Sequence, residues 1–264
     1  MRLEPLPPPP WADGARGAGV RVAVVDSGWD ATLALPGLKV EAGISVGPDG
    51  TLGTDAPLDR LGHGTACLCT AFMIAPGAAY LPVRVFADRL ETRVAALVAA
   101  LGWSVRAGCD VVNLSLGATG AAGAEALYHA CEAARLAGSV VVAATAPGAG
   151  SLPARFDNVL SVDAVDGGGP FDYRYRPDEA VECLASHGIY GLVPWLGGEF
   201  VPARGPSYAA PVVSGMVALL RERHPGAPLD RVRALLARHS TPPASGAFEA
   251  PQDQVGHESL FHRG

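Results

Sequence analysis

Short apolar runs alternate along the chain with longer apolar stretches of helical length. The short runs are rich in valine, which is typical of strands buried on both faces, and they span residues 20–25, 79–86, 111–116, 139–144 and 159–165. The longer stretches predict helices over residues 66–75, 92–106, 121–136 and 207–220. This alternation predicts an α/β fold in three layers, with a mostly parallel central sheet and helices on both faces.

The pattern becomes irregular near both ends of the chain. Residues 172–179 are charged and aromatic, and residues 188–203 form a Gly-, Pro- and Trp-containing stretch that we interpret as a loop. We expect a Pro/Gly-rich N-terminal extension over residues 1–19, one domain over residues 20–240 and a C-terminal tail over residues 241–264.

Three polar side chains stand beside glycines at the ends of these apolar runs. Asp26 ends the first run in Val-Val-Asp-Ser-Gly, His63 precedes a helix in Leu-Gly-His-Gly-Thr-Ala, and Ser207 begins a helix in Arg-Gly-Pro-Ser-Tyr-Ala-Ala-Pro. Singly, each residue type is common in helix caps and turns. Together they are the nucleophile, base and orienting carboxylate of acyl-transfer chemistry, and they predict a catalytic triad of Asp26, His63 and Ser207.

In residues and in order, this set resembles the subtilisin-like serine peptidases. The resemblance runs from residue 20 to about residue 236 and includes the run Val-Val-Asn-Leu-Ser-Leu-Gly, which is similar to the family's substrate-binding strand. It implies a subtilisin-like catalytic domain over residues 20–240 and a serine endopeptidase acting on peptides or proteins. It also implies that Ser115, Leu116 and Gly117 pair with the substrate backbone, as an added β-strand does.

The sequence departs from the family at the oxyanion hole. Where relatives place an asparagine, this chain aligns Pro147, which has neither a side-chain donor nor a backbone N–H. Removing that asparagine from subtilisin lowers turnover by about 10² to 10³. The threonine that precedes the nucleophile in relatives is a proline here, so the predicted oxyanion region consists of the Ser207 amide with Pro147 and Thr145 nearby. Asn113 and Asn158 are weaker alternatives, and the hole is either rebuilt or missing.

These features favour a slow, selective processing protease that acts on a peptide or precursor peptide. One alternative is a catalytically impaired subtilase that serves as a peptide-binding or scaffolding subunit, since a site without oxyanion donors can still bind an extended chain. The other is an acyl transferase or peptide cyclase that uses the same triad and an amine instead of water.

Composition limits the kinds of partner that we expect. The 264 residues are 49% hydrophobic and 17% charged, with a net charge of −6. They contain no basic cluster and no apolar run long enough to cross a bilayer, which argues against binding to nucleic acid and against insertion into a membrane. Five cysteines in apolar stretches suggest reduced thiols. Residues 1–19 lack the apolar core of a secretory signal and are too short for a folding pro-domain. We therefore expect a cytoplasmic, intracellular-type protease, with a partner protein as an option.

No metal site is predicted. Asp49, Asp55 and Asp59 are the clustered carboxylates, so calcium stays an option that the sequence does not make evident, and we expect no other cofactor. Two segments leave alternatives open. The Pro-rich residues 5–11 could lie as a lid along residues 115–117, which we call the substrate edge, or form a plain extended end. Trp195 could line a substrate pocket or cover the core.

Overall fold

The computed structural model describes residues 4–118, 122–146 and 151–241. Its α-helices are α1 (His63–Ile74), α2 (Val94–Arg106), α3 (Ala124–Leu136), α4 (Pro206–Arg223) and α5 (Leu229–His239). Its strands are β1 (Arg21–Asp26), β2 (Lys39–Val40), β3 (Ile44–Ser45), β4 (Ala79–Arg84), β5 (Val111–Leu114), β6 (Val140–Ala144), β7 (Leu160–Val165), β8 (Tyr173–Tyr175), β9 (Cys183–Ser186), β10 (Leu192–Pro194) and β11 (Phe200–Pro202).

The strands form one large sheet and one small hairpin. The order in the large sheet is β2-β4-β1-β5-β6-β7-β9-β8, and β3 also pairs with β4. All of these pairs are parallel except β8 with β9, and β10 pairs with β11 in the separate antiparallel hairpin. The predicted α/β fold with a mostly parallel central sheet is confirmed.

Both faces of this sheet are covered by helices. Along β1, Val22 and Val24 pack into a core with α1, α4 and α5, whereas Ala23 and Val25 face a second core with α2 and α3. Successive residues of a strand point to opposite faces, so a central strand between two helical layers must be apolar at every position. This burial explains why the strand sequences are continuous valine-rich runs.

The irregular part of the sequence contains strands that its pattern did not predict. The charged segment 172–179 includes β8, and the predicted loop 188–203 includes the β10–β11 hairpin. Each of these strands has three residues, which is too few to show an alternating pattern. β8 is fixed by distant residues, because the Tyr175 N–H donates to Ser240 Oγ (2.9 Å) and the Thr241 N–H donates to the Tyr173 carbonyl (2.9 Å).

The N-terminal segment packs at the C-terminal ends of α1 and α4. The Leu6 N–H donates to the Met73 carbonyl (2.8 Å) near the end of α1, and the Trp11 ring stacks on His239 with centroids 5.4 Å apart. His63 and Ser207 lie at the opposite ends of α1 and α4. The hypothesis that residues 5–11 form a lid over the substrate edge is therefore wrong, because this segment is held at the other end of both helices.

Glu222 anchors the same segment. One of its carboxylate oxygens, Oε2, accepts hydrogen bonds from the backbone N–H groups of Arg16 (2.7 Å), Gly17 (2.6 Å) and Ala18 (2.8 Å). Hydrogen bonds to a charged group are among the stronger ones in proteins. The carboxylate therefore links the N-terminal segment to the end of α4.

We expect Glu222→Ala to lower the free energy of unfolding by about 1 to 3 kcal/mol, since three amides lose a charged acceptor and regain only water. Glu222→Gln, which keeps an oxygen without the charge, should lie between the parent and the alanine variant. Urea unfolding measures the difference as a shift in midpoint. An unchanged midpoint in Glu222→Ala would show that the anchor contributes no stability.

Candidate active site

The structure brings Asp26 and His63 into direct contact. Asp26 ends β1 with no exposed surface, and its carboxylate oxygens lie 2.8 and 2.9 Å from His63 Nδ1. The Ser27 N–H also donates to Asp26 Oδ1 (2.7 Å). Because an ionised carboxylate only accepts hydrogen bonds, Nδ1 carries the proton and Nε2 is free to act as a base.

The glycine after His63 makes this contact possible. His63 is the first residue of α1, and the Gly64 N–H donates to Ser27 Oγ (2.8 Å). A Cβ atom on Gly64 would lie 2.4 Å from the Gly28 carbonyl oxygen, closer than any side chain tolerates. The turn after β1 and the start of α1 thus meet backbone to backbone, which explains the glycines in both motifs.

Asp59 holds the start of α1, a role that the sequence reading missed. Its Oδ1 accepts from the N–H groups of Leu61 and Gly62 (both 2.9 Å), and its Oδ2 accepts from the Thr65 N–H (2.8 Å) and hydroxyl (2.7 Å). Burial would raise the pKa of Asp59, but these hydrogen bonds outweigh it and the pKa is lowered. The sequence did contain a signal for this role, because Asp59 stands four residues before a glycine-flanked histidine that begins a helix.

Two of the carboxylates suggested for calcium have hydrogen-bond partners within the protein. Asp59 is engaged by the start of α1, and Asp49 accepts from the Thr51 N–H (3.0 Å) in its own turn. In the described ranges, one group of three metal-ligand side chains has its atoms within 4.8 Å of one another, and it consists of Asp26, His63 and Cys67. Two of these are already hydrogen bonded to each other, so no reaction step is assigned to a metal.

Ser207 lies at the N-terminus of α4. Gly205 caps the helix with φ of 101°, Pro206 is its first residue, and Ser207 is half-buried in the first turn. The first backbone N–H groups of a helix have no acceptor within it, and the helix dipole places partial positive charge there. The Ser207 amide is therefore available to stabilise an anion beside its own hydroxyl.

Cys67 contacts both His63 and Ser207. Pro211 lies in the second turn of α4 and supplies no N–H to the Ser207 carbonyl four residues earlier. The Cys67 thiol donates to that carbonyl (3.5 Å), and its sulfur lies 3.9 Å from His63 Nδ1. Burial raises the pKa of the Cys67 thiol, which keeps it protonated and able to donate.

The protonation of His63 is controlled by opposing effects. Burial, the largest single effect, lowers its pKa because a charged ring is poorly solvated, but the charge and hydrogen bond of Asp26, together with the contact to Cys67, outweigh it. The net pKa is raised well above the usual value of a histidine. The Tyr208 ring packs 5.1 Å from the imidazole, centroid to centroid, and helps to exclude water from it.

All five cysteines are free and buried. Burial raises the pKa of every one of these thiols, to about 12 for Cys109 and Cys131. Since only thiolates react with alkylating reagents, we expect iodoacetamide at neutral pH to leave the folded protein unmodified and to label all five after denaturation. Intact-mass spectrometry measures the number of labels. Fast labelling of the folded chain would contradict the buried placement.

A cleft of about 650 Å³ joins the predicted triad to the predicted substrate edge. His63, Ser207, Ser115, Leu116 and Gly117 all line it. Gly117 is exposed, and a Cβ there would lie 2.3 Å from Ser151 Oγ. The chain just beyond is fixed by two hydrogen bonds between Ala118 and Leu152 (2.8 and 3.0 Å).

Two asparagines considered for the oxyanion hole have other partners. Asn113 donates to Ser115 Oγ (2.9 Å) and accepts from the Ser214 hydroxyl (2.9 Å), so its amide is buried beneath the substrate edge. Asn158 donates to the Tyr128 carbonyl (3.2 Å) on α3. Both alternatives are therefore wrong.

The remaining oxyanion residues are only partly described. The Thr145 N–H donates to the Val162 carbonyl (2.8 Å) within the sheet, so that amide is not free. Pro147 lies outside the described residues. Of the predicted oxyanion groups with a described position, the Ser207 amide is the one at a helix N-terminus.

Trp195 packs against the start of α1. A Cβ on Gly62 would lie 2.4 Å from its indole ring, and the half-buried ring joins a small apolar cluster with Ala66, Val193 and Ala203. Of the two interpretations of Trp195, this placement favours covering the core. The contact also supports the turn that precedes His63.

A subtilase family model matches residues 17–258, most of the chain. The chain belongs to the subtilase family. Its similarity to named enzymes agrees: it is 29% identical to subtilisin DY of Bacillus licheniformis over 247 residues, which cover 87% of this chain and 86% of that protein. It is 30% identical to subtilisin Savinase of Lederbergia lenta over 224 residues, covering 80% of each. This subtilase is a subtilisin-like serine protease.

Solved structures show the same fold. A protease from Pseudoalteromonas arctica superposes with a TM-score of 0.72 at 22% identity and covers 89% of this chain and 87% of its own. A lanthipeptide protease superposes with a TM-score of 0.68 at 21% identity and covers 84% and 80%. Among the described residues, no helix of this subtilase is both long enough and apolar enough to cross a bilayer.

Proposed function

We propose that this subtilase is a slow, selective endopeptidase that processes a peptide or precursor peptide in the cytoplasm. One observation carries the chemistry: His63 Nδ1 lies against both Asp26 oxygens, and His63 shares a cleft with Ser207. Ser207 is the nucleophile, His63 the general base, and Asp26 the residue that orients the imidazole.

The reaction follows from these positions. Ser207 Oγ attacks the peptide carbonyl carbon while His63 Nε2 takes the hydroxyl proton, and Asp26 stabilises the resulting imidazolium. His63 then gives the proton to the leaving amine as the C–N bond breaks, which leaves an acyl group on Ser207. In a second step water attacks the acyl carbon as His63 takes its proton, and His63 returns that proton to Ser207 Oγ as the acyl C–Oγ bond breaks and the acid leaves. The Ser207 N–H donates to the oxyanion in both steps.

The cleft suits an extended peptide. Residues 115–117 line one side of it and continue the chain from the C-terminal end of β5. A substrate strand can add there by backbone hydrogen bonding. Such pairing requires little of the substrate's sequence. Selectivity then depends on side chains that enter the cleft, which also contains Phe86, Leu90 and Arg93.

Slow turnover follows from the alignment of Pro147 with the oxyanion asparagine of relatives. We expect Pro147→Asn to restore a donor and to raise kcat by about 10- to 100-fold, because one oxyanion donor is worth that or more in subtilisin. KM should change little, since the donor acts on the transition state. Stopped assays with a peptide substrate measure both constants, and an unchanged kcat would count against the proposed cause of slowness.

Two findings support a processing role inside the cell. All five thiols are free and buried, which suits a reducing compartment. One structural neighbour is named a lanthipeptide protease, and we extend to this chain the idea of a peptide substrate that is cut at few sites. The names of other relatives, such as the alkaline proteases, do not indicate a substrate that is cut at few sites.

A peptide library tests the proposal. The purified chain is incubated with peptides of diverse sequence beside a Ser207→Ala control, and the products are identified by mass spectrometry. We expect cleavage of a small subset, absent in the control. Broad and rapid cleavage would contradict selectivity. Peptide binding without cleavage and without active-site labelling would support the impaired binding subunit, and products joined to an added amine would support an acyl transferase.

A further inference from the structure

The turn after β9 contacts the chain on both sides of Ser207. The His187 imidazole accepts a hydrogen bond at Nδ1 from the Gly205 N–H (2.9 Å), two residues before the nucleophile. The next residue, Gly188, donates its N–H to the Tyr208 carbonyl (3.0 Å), one residue after it. Two consecutive residues thus hold the segment that carries the serine.

The geometry determines which nitrogen of His187 carries the proton. A backbone N–H can only donate, so Nδ1 must be unprotonated and the neutral ring carries its hydrogen on Nε2. That nitrogen lies 3.3 Å from Asp166 Oδ1, just after β7. The His187 side chain is 15% exposed, whereas Asp166 is 85% exposed, so the ring is held mainly from the protein side.

Gly205 is the residue through which this contact reaches the nucleophile. It caps α4 with φ of 101°, a backbone conformation that side chains disfavour, and its N–H precedes the helix and has no acceptor within it. The bond to His187 fixes the Arg204–Gly205 peptide, which leads through Gly205 directly into the first turn of α4. A shift of this peptide would move the start of that turn, and with it the backbone that carries the Ser207 hydroxyl and amide.

We propose that His187 is a positioning residue for Ser207, acting through the hydrogen bond from Gly205 to Nδ1. The proposal rests on the proposed role of Ser207 as nucleophile. It assigns to the Nδ1 acceptor the task of keeping the nucleophile turn in its reactive conformation, while the Nε2 contact with Asp166 only orients the ring. A small displacement of a reacting group is costly, and about 1 Å can lower the rate 100-fold.

Two substitutions separate the two nitrogens. His187→Asn keeps an acceptor oxygen near the place of Nδ1, whereas His187→Gln places its amide near Nε2 and leaves Gly205 without a partner. We expect His187→Gln and His187→Ala to lower kcat by about 10- to 100-fold with KM within about twofold of the parent. His187→Asn should stay within about threefold. His129→Ala, on the exposed face of α3, is the control for loss of a histidine.

Each variant is also labelled with a fluorophosphonate, and the rate constant of adduct formation at Ser207 and the melting temperature are measured. Labelling rates should follow kcat in the order parent, Asn, then Gln and Ala, at similar melting temperatures. The positioning role would be overturned by equal losses of kcat in the Asn and Gln variants, or by no loss of kcat in any variant. It would also be overturned if the losses of kcat followed the melting temperature. A parent that is not labelled at Ser207 overturns the proposed function, and this inference with it.

Discussion

Replacing Ser207 by alanine removes the proposed nucleophile, and we expect kcat for a cleavable peptide to fall by about 10³ to 10⁴. In subtilisin the loss of the serine lowers kcat by about 10⁶. Without an oxyanion asparagine, the kcat of the parent protein is already about 10² to 10³ lower than that of subtilisin, so the substitution has less activity to remove. The size of the drop therefore reports on the oxyanion hole as well as on the serine.

Intact-mass measurement after fluorophosphonate treatment checks this prediction independently of any substrate. The parent should gain one adduct, mapped to Ser207, and Ser207→Ala should gain none. Ser151→Ala is a matched control because Ser151 lies beside Gly117 at the edge of the cleft and has no part in the proposed triad. An adduct that persists in Ser207→Ala would refute the assignment of the nucleophile.

Asp26→Asn should also be damaging, with a loss of kcat no greater than the loss of about 10³ to 10⁴ expected for Ser207→Ala, since the change of a triad aspartate to an amide costs about 10⁴ in a fully active enzyme. The reason is the tautomer of His63. An asparagine amide can donate to Nδ1, which moves the imidazole proton to Nε2 and removes the lone pair proposed to accept the Ser207 proton.

The pH dependence of kcat/KM gives this variant a second readout. His63 acts as a base only when neutral, so activity falls as the pH drops through its pKa. Asp26 raises that pKa above the usual value, and removing the carboxylate charge lets burial lower it. The acid limb of the profile should therefore lie above pH 6.5 in the parent and move to lower pH in Asp26→Asn. A limb that does not move would show that Asp26 is not the source of the raised pKa.

Sequence reading was most successful where local pattern and fold agree. The five long strands were predicted because each is a short, mostly apolar run, and four of the helices because mostly apolar stretches of helical length follow those runs. It failed for β8 and for the β10–β11 hairpin, which are three residues long and depend on partners far along the chain, such as Ser240 for Tyr175. It also did not predict the hydrogen bond from the Cys67 thiol to the Ser207 carbonyl, since nothing local indicates that Pro211 leaves this carbonyl without a helical N–H.

The sequence by itself determined the fold class and the family, and it predicted the triad of Asp26, His63 and Ser207, because apolar periodicity and residue order can be read without a structure. The tertiary structure alone decided what surrounds them. Asp59 at the start of α1 and His187 beside Gly205 act through hydrogen bonds 2.7 to 2.9 Å long. Such bonds require the donor to point at the acceptor. His187 and Gly205 are 18 positions apart in the chain, so they reach that mutual orientation only when the sheet and helices have packed.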